Sequence, residues 1–195
     1  MPATPIYIIC SPRPQVGKTL AARLLSEFLL LKDGNVVAFD INLKEPTLLD
    51  YLPEITETAD VIDTRGKMLL MDRIIVDDGI AKVIDLGFHA FDEFFTMSEE
   101  IGFLKEAARR NVAPIILFAA DYDRVSTRGY ELLRQQIPRS SLIVIDNEYL
   151  TARGWLSGHV TPSVVAQKAT QTPRREPASQ ITTPVFLRDD DLTHK

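Results

Sequence analysis

The chain has 195 residues, of which 45% are hydrophobic and 25% are charged, and its formal net charge is −5. This size and composition predict one soluble globular domain with a sizeable core, and the acidic balance argues against a general electrostatic grip on nucleic acid. No apolar run approaches the ~20 residues that span a bilayer, the N-terminus lacks signal-peptide features, and Cys10 is the single cysteine, so we expect a cytoplasmic protein.

A strand, a tight loop and a helix are predicted at the start of the chain. Residues 6–9 are apolar and suit a buried strand, seven residues of proline-containing loop follow, and Gly17-Lys18-Thr19 opens a segment with helical apolar spacing. A phosphate-binding loop works in this context, because the N–H groups and the positive dipole end of the helix face an anion. Lys18 would reach the β- and γ-phosphates, and the Thr19 hydroxyl would bind Mg²⁺. The residues that define the helical spacing are Leu20, Leu24, Leu25 and Phe28.

The loop departs from the usual pattern G-x-x-x-x-G-K-[ST]. Pro12 stands where that pattern has its first glycine, and Pro14 lies inside the loop. Proline removes an N–H donor and fixes φ, so the loop offers fewer donors than a glycine-rich one. The alternative interpretation is a chance Gly-Lys-Thr tripeptide that only starts a helix.

Strands and helices alternate along the next part of the chain. Further apolar strands are predicted at residues 36–39, 81–86, 114–119 and 141–145, and residues 53–64 are predicted to be a loop with short helical or strand pieces. Helices are predicted at residues 66–78 and 127–136, with two more between 88 and 110, the second of them starting at Ser98. Short, continuously apolar strands separated by helices indicate a three-layer α/β/α fold with a mainly parallel twisted sheet. With the Gly17-Lys18-Thr19 loop after its first strand, this order of elements resembles the P-loop NTPase fold. The expected domain covers residues 1–150.

Polar residues follow the predicted strands, where ligands of parallel sheets bind. Asp40 ends the second strand, Asp85 ends the third and Asn147 follows the fifth, so all three share one rim with the loop. Carboxylates at strand ends can hold Mg²⁺ or one of its waters, although acids also close strands as ordinary turn residues. Thr19, Asp40 and Asp85 are the candidate metal ligands.

These motifs resemble the ParA/MinD-type P-loop ATPases, the class that includes dethiobiotin synthetase. Residues 13–19, RPQVGKT, resemble the family's K-G-G-x-G-K-[ST], with Arg13 at the signature lysine and Pro14 and Gln15 replacing two glycines. Asp40 matches the first acid of the D-x-D switch, Asn42 replaces the second, and Asp85 matches the Walker B acid. The nucleotide contacts that the resemblance implies would come from Pro14, Gln15, Val16, Gly17, Lys18, Thr19, Leu20 and, for adenine, Asn147.

The resemblance implies an ATP-dependent switch with slow Mg²⁺-dependent hydrolysis. Lys18, Asp40 and Arg13 would be its catalytic residues, and Arg13 would reach the partner's phosphates in an ATP-bound homodimer. An adaptor protein would complete the system that positions DNA or a cellular assembly. Because Asn42 is neutral and cannot act as a base, a non-hydrolysing scaffold is one alternative. A dethiobiotin-synthetase-like enzyme that activates a carboxylate is another, and it needs a substrate pocket with its own basic residues.

Residues 151–195 are expected to form an extension or tail, because they are rich in Thr, Pro, Gln and Ser. Trp155 with Leu156 is interpreted as a docking anchor. Prolines interrupt residues 170–195 and no apolar stripe is sustained there, so no membrane-binding helix is predicted. DNA binding is left open without support from the charge, and the residues to test for it are Arg109, Arg110 and Arg128.

Overall fold

The computed structural model describes residues 2–42, 44–148 and 150. Its described part contains six strands in the order β3-β2-β4-β1-β5-β6, and every neighbouring pair is parallel. The α/β fold with a parallel sheet is therefore confirmed, while the predicted extension at 151–195 lies outside the described residues. The strands are β1 (Thr4–Cys10), β2 (Val37–Asp40), β3 (Thr56–Thr58), β4 (Lys82–Asp85), β5 (Val112–Ala119) and β6 (Leu142–Ile145).

Six helices connect these strands. Residues Phe88–Ala90 and Arg139–Ser141 add two short 3₁₀ turns. The helices are α1 (Lys18–Asp33), α2 (Thr47–Tyr51), α3 (Thr64–Ile74), α4 (Phe91–Glu100), α5 (Phe103–Arg109) and α6 (Arg124–Gln136).

One local prediction was wrong. Ser98 does not start a helix: it lies inside α4, where its hydroxyl donates to the carbonyl of Phe94 at 2.8 Å. The break comes instead at Gly102, whose φ of 65° is a left-handed conformation that ends one helix and precedes the next. Residues 53–64, predicted as a loop with short helical or strand pieces, do contain such a piece, the three-residue edge strand β3.

The crossovers place the helices in two layers. Right-handed connections put α1 and α2 on one face of the sheet, because the chain moves from β1 to β2 to β3 in one direction. The return through β4, β5 and β6 puts α3 to α6 on the other face. Two hydrophobic clusters match this arrangement: Ile6 and Ile8 of β1 pack with α3 to α6, and Ile9 packs with α1 and α2.

Helix α1 leaves most of its large apolar residues exposed. Ala22, Ser26 and Leu29 face the sheet. The apolar residues that defined its helical spacing lie mostly on the outside, where Leu20, Leu24 and Phe28 are each more than half exposed and Leu31 is 87% exposed. We call these four residues the α1 stripe. Among the residues that the structure describes, no helix is long and apolar enough to cross a membrane.

The register of α3 can be tested with a pair of neighbouring leucines. Leu70 is buried on the sheet, and Leu69 is 57% exposed on the same helix. Leu70→Ala should lower the free energy of unfolding by about 2–5 kcal/mol, because it leaves a cavity in the core. Leu69→Ala, the control, should change it by less than about 1 kcal/mol. Urea unfolding measures both, and equal losses would contradict this register.

Candidate nucleotide site

The loop between β1 and α1 has the backbone of an anion-binding turn. Gln15 (φ 58°) and Gly17 (φ 91°) both adopt left-handed conformations. Gly17 needs glycine for a second reason, since a Cβ there would lie 3.0 Å from the side-chain nitrogen of Asn147. Successive residues with alternating conformations turn their N–H groups toward one side, which forms a concave site for an anion.

The N–H groups of residues 15–20 have no acceptors within the described part of the chain, whereas the N–H of Arg13 donates to the Ser11 hydroxyl at 3.3 Å. The first bond of α1 runs from Ala21 N to Gly17 O at 3.0 Å, and Gly17 provides no side-chain cap. The six backbone donors from Gln15 to Leu20 therefore remain available. They stand at the positive end of the 16-residue helix α1.

Lys18 is the first residue of α1, directly after this loop, and is only 8% exposed. Its Nζ donates to the carbonyl of Arg13 at 2.7 Å. Burial lowers the pKa of Lys18, while the carboxylate of Asp85 acts in the opposite direction. An ammonium with one backbone acceptor in a poorly solvated place would gain from a phosphate oxygen, because a charge-assisted hydrogen bond is stronger than a neutral one.

Asp40 and Asp85 lie side by side at the ends of β2 and β4. The Thr19 hydroxyl hydrogen-bonds the carboxylate of Asp85, and burial raises the pKa of that carboxyl to about 6, with the neighbouring charge of Asp40 contributing. Thr19 and Asp85 thus bring a hydroxyl and a carboxylate oxygen together. These are the hard ligands that Mg²⁺ takes from a protein beside water and phosphate oxygens, so the residues fit the cation.

Asp40 also has a structural task. One oxygen accepts the N–H of Asn42 at 3.0 Å, and the other accepts those of Leu48 at 2.9 Å and Leu49 at 3.4 Å. Asp40 therefore holds the start of α2 as well as standing at the rim. Burial raises its pKa and these three hydrogen bonds oppose the rise. Its role as a metal ligand stays a prediction.

Arg13 is engaged inside its own chain. Its Nε lies 2.6 Å from Asp123 and 3.7 Å from Asp121. The contact is an ion pair, since this Nε makes no well-aligned hydrogen bond within the described residues. Asp123 also caps α6 by accepting the N–H of Ser126 at 2.8 Å. Sequence reasoning missed Asp123, although an acid just before a helix is a recognisable capping signal.

Pro12 packs into a notch on α6. The notch exists because position 129 is glycine: a Cβ there would lie 2.8 Å from Cγ of Pro12 and 3.4 Å from the Phe91 ring. Sequence reasoning missed Gly129, which is a lone glycine inside a helical pattern. The proline that replaces the usual glycine is thus fixed against a neighbouring helix.

Asn147 lies beside the loop, as its position after the last strand predicted. Its side-chain nitrogen donates to the carbonyl of Val16 at 3.3 Å. This contact holds the chain leaving β6 against the loop. The role of Asn147 in reading adenine stays a prediction.

The buried carboxyl of Asp85 predicts a pH dependence of stability. Its pKa is about 6 in the folded protein and 3.8 in a free chain. Between these values the folded form holds a proton that the unfolded chain has lost, so the contribution of Asp85 to the free energy of unfolding falls as the pH rises. Relative to Asp85→Asn, the wild type should lose up to about 3 kcal/mol from pH 4 to pH 7. Urea unfolding across this range measures the loss. The exposed Asp72→Asn serves as the control, and a pH-independent difference between wild type and Asp85→Asn would refute the prediction.

The Pro12 notch predicts a destabilising alanine. Gly129→Ala should gain about 1 kcal/mol from helix propensity and lose about 1–3 kcal/mol from crowding against the proline ring. We expect a net loss in urea unfolding. The double variant Pro12→Ala/Gly129→Ala, which removes the ring, should recover it. A Gly129→Ala protein more stable than wild type would show that Pro12 does not occupy the notch.

No protein-family model and no curated protein matches the chain. One solved structure that resembles it is the solution NMR structure of a de novo designed protein with the P-loop NTPase fold. The identity is 12% and the TM-score 0.43, over 78% of this chain and 89% of the designed chain. A similarity this low supports no inference about function.

Proposed function

We propose that this protein binds a nucleoside triphosphate with Mg²⁺ at the loop before α1 and acts as a ParA/MinD-like, ATP-dependent switch in the cytoplasm. The observation that carries the proposal is the set of unused N–H donors from Gln15 to Leu20, together with the buried ammonium of Lys18 in the same stretch. The hydroxyl–carboxylate pair of Thr19 and Asp85 at the same rim supports it independently.

These residues would contact the triphosphate directly. The Nζ of Lys18 would exchange the Arg13 carbonyl for phosphate oxygens, and the loop amides would donate to the remaining ones. Thr19 and Asp85 would hold Mg²⁺, which supplies neutralisation of the phosphate charge. The gain is large because these groups are already positioned and poorly solvated, so little reorganisation accompanies binding.

Hydrolysis is proposed to be slow. The chemistry needs a positioned water in line with the terminal phosphate. Asn42, which stands where the family has its second acid, uses its amide nitrogen to donate to the Glu45 carbonyl at 2.9 Å. Asp40 uses both oxygens to hold backbone N–H groups. Neither side chain is placed to act as a base. Positioning of the water and neutralisation of the phosphate charge would therefore account for the rate of hydrolysis.

The dimeric state of the switch is part of the proposal. Arg13 would leave Asp121 and Asp123 and reach the phosphates bound to a second copy, because a triphosphate offers more charge than the two carboxylates. An adaptor protein would then recognise the ATP-bound dimer. The net charge of −5 gives DNA binding no support.

A surface cavity favours one other function. About 450 Å³ in volume, it is lined by two arginines, Arg124 and Arg128, by one carboxylate, Asp92, and by Pro12 and Phe91, among others. Neither arginine forms an ion pair within the described part of the chain. A carboxylate-activating enzyme needs such a basic pocket beside its phosphate loop, so a synthetase-like reaction is the second candidate.

Titration calorimetry of Mg·ATP and Mg·GTP against the wild type and Lys18→Ala tests the proposal. Loss of a hydrogen bond to a charged group, about 1.5–3 kcal/mol, should weaken ATP binding by about 10- to 100-fold. Lys32→Ala, at the far end of α1 with its side chain 61% exposed, is the matched control and should bind as the wild type does.

Oligomeric state and phosphate release, followed in parallel, separate the functions. An ATP-dependent dimer that Arg13→Ala abolishes would support the switch. Tight binding without turnover or dimerisation would indicate the scaffold, and release that requires an added small carboxylate would indicate the synthetase. Absence of binding at millimolar Mg·ATP would reject all three.

A further inference from the structure

A cavity of about 540 Å³ opens between α4, α5 and α6. Ile8 of β1 and Ile116 of β5, which are partners in register, line its side toward the sheet. Its mouth is formed by the last turns of α4 and α6 and the first turn of α5. A helix that connects parallel strands runs back toward their amino ends, so the mouth faces that edge of the sheet. The loop before α1 stands at the carboxyl end of β1, and the cavity is therefore separate from the candidate nucleotide site.

The interior of the cavity is apolar and largely aromatic. Phe94 and Phe95 of α4 and Phe103 of α5 line it, and each is less than 5% exposed. The rings of Phe94 and Phe95 meet edge to face with their centroids 5.3 Å apart. Rings in such an arrangement present further edges and faces to another apolar group. The interior is thus shielded from bulk water and suits an aromatic or branched aliphatic body.

The mouth carries two charged side chains that differ in their contacts. Glu99, at the end of α4, accepts a hydrogen bond from the side-chain nitrogen of Gln136 at 2.8 Å. Lys105, on the first turn of α5, is exposed, and its ammonium pairs with no carboxylate of the described chain. All three donors of Lys105 are therefore open to an anion, whereas Glu99 already shares its charge with an amide. An amine held by the other oxygen of Glu99 is the alternative that the experiment below separates.

We propose that this cavity binds a small monocarboxylic acid with an aromatic or branched aliphatic body, and that Lys105 pairs with its carboxylate. Small-molecule sites typically have volumes of about 300–1,000 Å³, apolar walls and a few polar groups that fix the orientation of the ligand. Here the phenylalanine rings take the body of the acid and the mouth takes its charge. The inference is independent of nucleotide binding, because no residue of the loop or of α1 lines the cavity.

Titration of 3-phenylpropionate into the full-length protein, followed by NMR of labelled isoleucine methyl groups, tests the proposal. The methyl signals of Ile8, Ile116 and Ile137, which line the cavity, should shift and saturate. Ile55, which packs on the α1 face of the sheet, is the internal control and should not move. The matched 3-phenylpropanol and 3-phenylpropylamine have the same ring and chain length, and both should bind several-fold more weakly than the acid.

Two variants assign the contacts. Lys105→Gln keeps most of the side chain and removes the charge, so it should weaken binding of the acid about 3- to 10-fold and leave binding of the alcohol unchanged. Lys32→Gln, an equally exposed type of change on α1, should bind the acid as the wild type does. Ser98→Leu adds an apolar side chain at the cavity wall and should abolish binding. Its melting temperature should equal or exceed that of the wild type, because filling a cavity stabilises a fold.

The proposal is wrong if the cavity methyl signals do not saturate with millimolar acid. It is equally wrong if the alcohol binds as tightly as the acid or the amine binds more tightly, since Lys105 then does not select the ligand. Binding of the acid to a folded Ser98→Leu protein with wild-type affinity would place the ligand outside this cavity.

Discussion

The structure depends on keeping two charges out of water at the carboxyl end of the sheet. Burial lowers the pKa of Lys18 and raises that of Asp85, so each charge is held where it is poorly solvated. Their mutual attraction offsets part of the desolvation cost. The hydrophobic clusters on both faces of the sheet supply the free energy that maintains this arrangement. Under the proposed function, an anion at Lys18 and a cation at Asp85 would satisfy both residues.

Pro12 and Pro14 make the loop stiffer than a glycine-rich one, because proline fixes φ. Pro12 fits against Gly129, and the next residue pairs with Asp123 at the start of α6. The loop is therefore held from outside, by a helix on the opposite face of the sheet. This arrangement leaves the donors from Gln15 onward free. The prolines that replace the usual glycines therefore change what holds the loop in place more than they change which N–H groups it offers.

The sequence predicted what local patterns determine. The strand before the loop, the start of α1 at Lys18 and the rim positions of Asp40 and Asp85 follow from apolar runs and their end residues. Partners distant in sequence could not be predicted: Arg13 meets Asp123 across 110 positions, and Gly129 accommodates Pro12 only in three dimensions. The sequence also did not show which face of α1 is buried. Its apolar residues occur at helical spacing on two faces, and only packing against the sheet decides which face is covered.

Asp40 links the rim to the outer edge of the sheet. A single carboxylate holds the first turn of α2, and α2 is the connection that delivers β3 to its place beside β2. Since β3 is three residues long, it brings few ladder bonds of its own. Protonation of that carboxylate would weaken its hydrogen bonds to the start of α2, and with them the support of the strand that follows.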